Sequence, residues 1–373
     1  MVDIRRIERA WRYAWMRAIA SGLRGPRTTN LPDRPLKVLF LRYERIGDMI
    51  MSTGVIRVLS RVAAGGTVDV VGNSLTLPVL ENNPHVGKAF ALDRKSWKSY
   101  ARLTARLRGE KYDVIVDGRI NNPPIFTSTP LLMLAASVPY RVGVRGGNND
   151  RVYNVGVKPF DRRGLTHYIE SSKSLIEPFA LVADDYDWRP EIVLSDEERS
   201  TAEAVWIRAS RRLEQPEETR FLVNLSASEK KRRWPDERFI ESLSELRRQY
   251  PRMPITVMAL PTESDRARTV AAAITAEYAP TPNLRDALAL VGSSHLVFTP
   301  DTSISHAASA FDKPAVILLK SDCLPYAPWQ TKGELVLWEG ETIDSLTTSA
   351  VTGPLLRLRG EFGSYRSGTA KTS

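Results

Sequence analysis

Residues 38–57 read VLFLRYERIGDMIMSTGVIR and join an apolar segment to a helical pattern through a short polar loop. The apolar run at residues 36–42 is typical of a buried strand. Gly47 and Asp48 then mark a turn, and a helical pattern follows from about residue 49 to residue 62. A strand, a loop and a helix in this order predict the first unit of a parallel sheet covered by helices.

The same alternation continues along the chain in two sets. In the first set, strands are predicted at residues 67–71, 89–92, 114–117 and 141–144, with helices at 96–107 and 126–136. In the second set, strands are predicted at 221–225, 255–260, 296–299 and 315–319, with helices at 197–212, 237–249, 264–276, 284–291 and 304–311. This alternation predicts an α/β protein with two doubly wound, Rossmann-like domains. Two such domains facing each other would bind ligands in a central cleft.

The patterns divide the chain into four predicted segments. Residues 1–34 form a basic amphipathic extension with a linker, and residues 35–185 form the N-terminal domain. Residues 186–355 form the C-terminal domain, and the polar residues 356–373 form a loose tail. The central border falls where an acidic, proline-containing stretch interrupts the alternation. A chain of 373 residues is long enough for two domains of about 150 residues each.

Composition excludes several classes of protein and site. Hydrophobic residues at 42% and charged residues at 26% are typical of a globular protein. The single cysteine, Cys323, cannot form an intrachain disulfide or a cysteine-based zinc site, and the four histidines lack a metal-binding spacing. No apolar run reaches the roughly 18 residues of a membrane-spanning helix, and the N-terminal residues lack the apolar region and cleavage site of a secretory signal, so none is expected. We therefore expect no metal, no spanning segment and a cytoplasmic location.

Half of the net charge of +10 lies in residues 1–30, which contain seven arginines and two acidic residues. Ile4, Ile7, Trp11 and Trp15 recur there at helical spacing, with arginines mostly on the other faces. The pattern predicts a basic amphipathic helix that lies on an anionic membrane surface. Packing of this helix on its own protein, or on another subunit, remains an alternative.

Three polar loops follow predicted strands, where open α/β sheets bind ligands. Residues 42–48 contain Asp48, which either stabilises the helix dipole or acts as a general base. Residues 226–234 contain four consecutive cations, which form either a solvated run or a diphosphate clamp. Residues 300–306 offer hydroxyls and backbone N–H groups at a helix start, which suits an anion, whereas His306 alone is more typical of a structural histidine. Neither a dinucleotide-binding nor a P-loop motif is present.

Four sequence features together resemble glycosyltransferase family 9, which contains the ADP-heptose:lipopolysaccharide heptosyltransferases. They are residues 38–57, KKRRWP at 230–235, DTSISHAA at 301–308 and the pair Lys313-Pro314. The resemblance runs from about residue 36 to residue 320. It implies the GT-B architecture, with an acceptor-binding first domain and a second domain that binds the nucleotide sugar. It also implies an inverting enzyme that requires no metal and no other cofactor.

The resemblance also implies roles for individual residues. Asp48 matches the carboxylate that deprotonates the acceptor hydroxyl. Glu263 matches an acidic residue that reaches the ribose, and Pro282, Asn283 and Leu284 fall near the base. Contacts to the donor phosphates and sugar fall on Ser226, Ser228, Arg232, Asp301, Thr302, Ser303 and His306. Arg232 stands where the family usually has lysine, and Ser303 where it usually has glycine.

These expectations combine into one hypothesis about function. A cytoplasmic enzyme, held on the inner face of the cytoplasmic membrane through residues 1–30, moves heptose from ADP-heptose onto a lipopolysaccharide-type glycolipid. One alternative is transfer of a different nucleotide sugar to another surface polysaccharide, which the two departures favour. Another is a nucleotide-sugar-binding relative without catalysis. Nucleic acid is not expected as a partner, because the charge is localised and no nucleic-acid-binding motif accompanies it.

Overall fold

The computed structural model describes residues 31–120, 132–133, 136–145, 152–160, 166–227 and 229–362. The chain divides into two compact units between Trp188 and Arg189, three residues after the predicted border. The predicted helix in residues 1–30 and most of the predicted helix at residues 126–136 lie outside the described residues.

The first unit is built on a six-stranded parallel sheet. Its strands are β1 (Val38–Leu41), β2 (Val68–Gly72), β3 (Val86–Ala91), β4 (Val114–Asp117), β5 (Tyr140–Val144) and β6 (Val155–Val157). The described helices are α1 (Ile46–Ser60), α2 (Trp97–Glu110) and α3 (Tyr168–Ser172). The strand order is β3-β2-β1-β4-β5-β6 and every neighbouring pair is parallel. The chain reverses its direction of winding between β1 and β4, so their following loops lie where such sheets bind ligands.

The second unit repeats this connectivity. Its strands are β7 (Phe221–Asn224), β8 (Ile255–Met258), β9 (Glu277–Ala279), β10 (Leu296–Pro300), β11 (Ala315–Lys320) and β12 (Gly333–Trp338). Its helices are α4 (Asp196–Arg211), α5 (Asp236–Gln249), α6 (Ser264–Ala273), α7 (Leu284–Ser293), α8 (Ser303–Ala310) and α9 (Thr348–Gly360). The strand order is β12-β11-β10-β7-β8-β9, again with parallel pairs. The reversal here lies between β7 and β10.

The central strands are buried along their whole length because helices cover both faces of a parallel sheet. All four residues of β1, β4, β7 and β8 are buried, which explains why their sequences are almost continuously apolar. Close packing also explains why one position of α1 is a glycine. A Cβ at Gly54 would lie 2.9 Å from the carbonyl oxygen of Trp188, so a larger residue would push the helix off this segment. The predicted α/β class with two doubly wound, Rossmann-like sheets is confirmed.

The predicted loose tail begins too early at residue 356. Helix α9 continues to Gly360, and Leu358 and Phe362 are buried in the core of the second unit. Val351, Leu355 and Leu358 recur at helical spacing and pack into the core, which holds the segment helical although it contains a proline. Within the described ranges, no helix combines the length and the apolar character needed to cross a membrane.

Candidate active site

Asp48 lies in the first turn of α1, directly after the loop that leaves β1. Its side chain is 20% exposed, and its Oδ1 lies 3.2 Å from Nη2 of Arg42. The position agrees with both interpretations of this carboxylate. Asp48 stabilises the positive end of the helix dipole, and it remains accessible to a hydroxyl group from which it could accept a proton.

Arg42 is the buried partner of this carboxylate. Its Nη1 donates a hydrogen bond to the carbonyl oxygen of Gly118 at 3.0 Å, and its guanidinium lies 5.4 Å from the ring centre of Tyr168. The Tyr168 hydroxyl donates to the same carbonyl, also at 3.0 Å. Burial lowers the pKa of Arg42, but nearby acidic groups, first among them Asp48, raise it above its ordinary value. A fixed positive charge therefore stands behind Asp48.

A second ion pair, between Arg119 and Asp117, lies at the carboxyl end of β4. Arg119 donates to both carboxylate oxygens of Asp117, at 2.9 and 2.6 Å, and the Tyr153 hydroxyl donates to Asp117 at 2.6 Å. The Asp117 side chain is only 2% exposed and is enclosed by these partners. Glu44 lies 3.5 Å from Arg119 and is 23% exposed. The network therefore holds the β1 and β4 loops, and it leaves Asp48 and Glu44 open to solvent.

In the second unit, Trp234 anchors the basic loop that follows β7. Its indole is fully buried, donates to the carbonyl oxygen of Leu346 at 3.0 Å and packs edge-on against Phe239. The neighbouring Lys230 and Lys231 are exposed, as a solvated charge run would be. Arg232 differs from them, because its side chain is only 17% exposed and is turned toward the protein.

Arg232 connects the β7 loop to the β10 loop. Its Nη1 donates to Oδ2 of Asp301 at 2.7 Å, and its Nη2 lies 3.9 Å from Sγ of Cys323. Its Nε is buried and has no hydrogen-bond partner among the described residues. Burial raises the pKa of the Cys323 thiol, and the Asp301 charge adds to this effect. Arg232 thus places a partly exposed guanidinium at the carboxyl edge of the sheet, with its unpartnered Nε on the buried side.

Polar side chains connect the end of β7 with β10 and with the segment that follows β8. Asn224, the last residue of β7, donates from Nδ2 to the hydroxyls of Thr299 and Thr302 at 3.0 and 3.3 Å. The Ser226 hydroxyl donates to Oε2 of Glu263 at 2.7 Å. The other oxygen of Glu263 forms an ion pair with Arg233 at 2.6 Å. The Ser226 backbone N–H donates to Oδ1 of Asn224 at 3.2 Å. One network therefore links Ser226, Glu263 and Thr302, and the only hydroxyl proton of Ser226 is used to hold Glu263.

The third predicted loop forms the start of α8. Thr302 is the N-cap, and its hydroxyl accepts a hydrogen bond from the backbone N–H of Ile304. Ser303 is the first helical residue and does not have a positive φ, so a serine in place of the family's usual glycine causes no backbone strain. His306 lies inside α8 and is 7% exposed. The backbone N–H groups of Ile304 and Ser305 both donate to Thr302, so those of Thr302 and Ser303 are the ones that suit an anion.

The predicted nucleoside residues follow β9, next to the β8 edge that carries Glu263. Pro282 and Asn283 are exposed and Leu284 is half-buried. The Asn283 side chain caps α7 by accepting from the backbone N–H of Asp286 at 3.0 Å. Ser228, predicted beside the phosphates, lies outside the described residues. In the described ranges, no three His, Cys, Asp or Glu side chains are grouped so as to hold a metal ion.

The sequence interpretation missed several residues that organise these sites. Arg42 pairs with Asp48, Asn224 joins the ends of β7 and β10, and Asp117 accepts hydrogen bonds from Arg119 and Tyr153. Two of them share a recognisable signal, because Asn224 and Asp117 are the single polar residues that end the apolar strands FLVN and VIVD. A polar residue at that position of a buried strand faces the binding edge of the sheet.

The family model described as glycosyltransferase family 9 (heptosyltransferase) matches residues 100–342, which is more than half of the chain. The chain belongs to glycosyltransferase family 9. The match includes the loops that carry Arg232 and Asp301, whereas Asp48 lies before its first residue. Membership makes this chain a glycosyltransferase of the heptosyltransferase-like type.

Individual relatives agree with this family 9 assignment. The chain is 22% identical over 318 residues to lipopolysaccharide heptosyltransferase 3 of Escherichia coli (strain K12), covering 80% of this chain and 86% of the relative. A family 9 crystal structure from Veillonella parvula DSM 2008 matches with a TM-score of 0.74 at 17% identity, over 90% of this chain and all (100%) of that one. The structure of E. coli ADP-heptose lps heptosyltransferase II matches with a TM-score of 0.65 at 20% identity, over 87% and 98%. These likenesses confirm the predicted GT-B architecture.

Proposed function

We propose that this family 9 chain transfers heptose from ADP-heptose to a lipopolysaccharide-type glycolipid, with inversion and without a metal. The observation that carries the proposal is the geometry of Asp48, a partly exposed carboxylate held 3.2 Å from a buried arginine at the ligand-binding edge of the first sheet. The names of two relatives, a lipopolysaccharide heptosyltransferase and an ADP-heptose heptosyltransferase, support the choice of donor and acceptor.

In the proposed reaction, Asp48 acts as the general base. Its carboxylate accepts the proton of the acceptor hydroxyl while that oxygen forms a bond to the anomeric carbon of the heptose. The bond between this carbon and the diphosphate oxygen breaks at the same time, and its electron pair leaves with ADP. Because the acceptor attacks opposite the leaving group, a single displacement inverts the anomeric configuration.

The second unit supplies the groups that we assign to the donor. Arg232 neutralises charge that develops on the leaving diphosphate, so no metal ion is required for that task. The N–H groups at the start of α8, beginning at Thr302 and Ser303, bind phosphate oxygens. Asp301 holds Arg232 in place at 2.7 Å, and Ser226 holds Glu263 for the ribose. Ser228 and His306 are assigned to the phosphate and sugar side, and residues 282–284 to the base.

The proposal also covers the glycolipid acceptor and the location of the enzyme in the cell. A glycolipid acceptor is presented at a membrane, so the enzyme is placed on the inner face of the cytoplasmic membrane as a peripheral protein. The arginine-rich residues 1–30 provide one attachment, because cations and tryptophans favour an anionic headgroup layer.

The donor is tested by calorimetric titration of the full chain, without added metal, against ADP-heptose, ADP-glucose, UDP-glucose, GDP-mannose and dTDP-rhamnose. We expect ADP-heptose to bind at least about tenfold more tightly than the others, because matched polar contacts discriminate by 1.4 kcal/mol or more. Selective binding of another nucleotide sugar would contradict the assignment of ADP-heptose as the donor. It would favour transfer to a different surface polysaccharide, the alternative that the departures from the family pattern at Arg232 and Ser303 support. Binding of none of them would contradict transferase activity itself.

A further inference from the structure

Helix α2 of the first unit is an unusually basic surface element. Residues 93–111 contain seven lysines and arginines and two acidic residues, a net charge of +5 against +10 for the whole chain. The helix is held on the unit by Leu103 and Leu107, which are 4% and 0% exposed. Its other side is therefore directed away from the core.

The outward side of α2 combines cations, small residues and one aromatic ring. We call it the α2 basic face, and it consists of Trp97, Lys98, Ala101, Arg102, Ala105, Arg106 and Arg108, all of them exposed. At 3.6 residues per turn, most of these positions lie on the side away from Leu103 and Leu107, and Trp97 and Arg106 lie at its two borders. The Arg106 guanidinium lies 4.9 Å from the ring centre of Phe90. Trp97 is 74% exposed, whereas the indoles of Trp206 and Trp234 are fully buried.

No carboxylate belongs to the α2 basic face. Of the two acidic residues in the stretch, Asp93 precedes the helix and Glu110 lies at its last turn. Glu110 forms ion pairs with Lys37 and Lys88, at 2.8 and 2.6 Å. In the described part of the chain, Lys98 and Arg102 form no ion pair, and Arg102 donates only to a backbone carbonyl. Their charge is thus available to an external anion.

We propose that the α2 basic face docks on the anionic headgroups of a phospholipid membrane. Each cation near such a surface contributes about fivefold to binding, so several of them together give strong attraction. Trp97 adds an indole, the side chain that prefers the boundary between headgroups and acyl chains. Ala101 and Ala105, at the centre of the face, let the helix backbone approach the headgroup layer closely.

Docking through this face would place the start of α2, which lies beside the loop that carries Asp48, near the membrane. Helix α2 begins after the carboxyl end of β3, and the guanidinium of Arg94, just before the helix, lies 5.5 Å from the ring centre of Tyr43. Tyr43 directly follows Arg42, the partner of Asp48. A glycolipid acceptor in the membrane would then lie close to Asp48. That consequence rests on the proposed function, whereas docking on the membrane does not.

The test measures binding of the full chain to phosphatidylcholine vesicles with and without phosphatidylglycerol, by co-sedimentation. The variant Lys98→Glu/Arg102→Glu should bind the anionic vesicles at least about tenfold more weakly than the wild type. The matched control is Arg199→Glu/Arg211→Glu on the exposed side of α4, which changes the net charge equally. This control should bind within about threefold of the wild type, because its charges lie outside the α2 basic face and are screened within about 10 Å.

Two further measurements keep the lipid proposal falsifiable. Trp97→Ser should weaken vesicle binding by about fivefold, and lipids with brominated acyl chains should quench less fluorescence in this variant than in the wild type. Thermal unfolding shows whether each exposed substitution leaves the fold intact, and Lys98→Gln/Arg102→Gln replaces the reversal variant if it does not.

Three results would overturn the proposal. Equal weakening by both double variants would show that net charge alone drives binding. Unchanged binding of the Lys98 and Arg102 variant would assign attachment to other residues, such as 1–30. Unchanged binding of Trp97→Ser, together with equally tight binding of the wild type to duplex DNA, would identify a general polyanion surface. Donor titration without vesicles tests the transferase proposal separately, so the two can fail independently.

Discussion

The two sheets share one connectivity, yet the ion pairs at their carboxyl edges have different exposure. In the first unit, the Arg42 side chain is 4% exposed and its partner Asp48 is 20% exposed, so the pair offers chiefly a carboxylate. In the second unit, Arg232 and Asp301 are 17% and 15% exposed, so the guanidinium is accessible as well. One arrangement suits a base and the other suits binding of an anion. The fold supplies the edge, and the side chains at the strand ends decide the chemistry.

The surroundings of the two pairs strengthen this difference. Arg42 is enclosed by the Gly118 carbonyl and the Tyr168 ring, which leave its charge directed at Asp48. Arg232 instead keeps a buried Nε without a hydrogen-bond partner among the described residues, and it stands beside the start of α8. An anion reaching the second site would meet both a guanidinium and helix N–H groups.

The largest expected effect comes from removing the carboxylate of the first pair. Asp48→Asn should lower the transfer rate by about 10²–10⁴-fold, because an amide cannot accept the acceptor proton. Donor affinity should stay at the wild-type level, since we assign the donor to the second unit. Product formation and calorimetric titration measure the two quantities. Asp33→Asn, at an exposed position, is the control and should retain wild-type rates.

A different outcome would change the role of Asp48. If Asp48→Asn keeps transfer within about tenfold of the wild type but lowers the unfolding temperature, the carboxylate serves the helix dipole and Arg42 rather than proton transfer. The base would then have to be sought elsewhere, with Glu44 the other partly exposed acid of this network at 23%.

Removing the guanidinium of the second pair should have a smaller effect on the transfer rate, and it should also weaken donor binding. Arg232→Met should weaken nucleotide-sugar binding by about tenfold to a hundredfold, because hydrogen bonds to charged groups contribute about 1.5–3 kcal/mol each. Arg232→Lys should lose less, since it keeps the charge but not the bidentate geometry. Arg268→Met, a 63% exposed arginine paired with Asp265, is the matched control for calorimetry. Wild-type affinity of Arg232→Met would remove Arg232 from the donor site.

Fold prediction from the sequence succeeded where strands are apolar and failed where they are short or lie at an edge. The strand predicted at residues 114–117 coincides with β4, and both Rossmann-like sets were found. Strands β6 and β9 have three residues each, too few for a periodic signal, and β12 is an edge strand that contains Glu334. Helix α9 contains Pro354, which predicts a break, and only packing on the core reveals that the helix continues.

The sequence located the loops that follow strands, whereas the roles assigned to their residues stay predictions. Position after a strand indicated the three loops, and the family resemblance singled out Arg232 and Asp301 within them. The structure places Asp48, Arg232 and Asp301 at the carboxyl edges of the two sheets. The partners of these residues were harder to predict. Arg42 and Asp48, for example, meet only because the loop between β1 and α1 folds back and brings its two ends together. The Asn224 contacts join residues 75 and 78 positions apart, and no local pattern indicates such pairs.

The smallest expected effect is on the pH dependence of stability. It concerns Glu110, whose ion pairs stabilise the fold and are not proposed to act in catalysis. Hydrogen bonds from the ammonium groups of Lys37 and Lys88 lower the pKa of Glu110 from 4.5 to about 2. Because the pKa is lower in the folded state, this stabilisation is present above pH 4.5 and is lost as the pH falls toward 2. Glu110→Gln should therefore lower stability at pH 7 slightly and flatten its decline in this window, as measured by urea unfolding midpoints at each pH.

Glu341→Gln is the control for this pH dependence, because Glu341 is exposed and forms no ion pair in the described ranges. Its midpoints should follow those of the wild type across the window. Parallel curves for Glu110→Gln and the wild type would show that Lys37 and Lys88 do not favour the charged carboxylate in the folded state. Transfer at pH 7 should be unaffected by Glu110→Gln, since this cluster lies at the end of α2 remote in sequence from both the Asp48 and Arg232 loops. Glu110 is 21% exposed and Asp48 is 20% exposed, and the ion pairs of Glu110 are the shorter ones. If Glu110 contributes to folding alone, then location at the carboxyl edge of the sheet, rather than exposure or the length of the ion pair, marks the functional carboxylate.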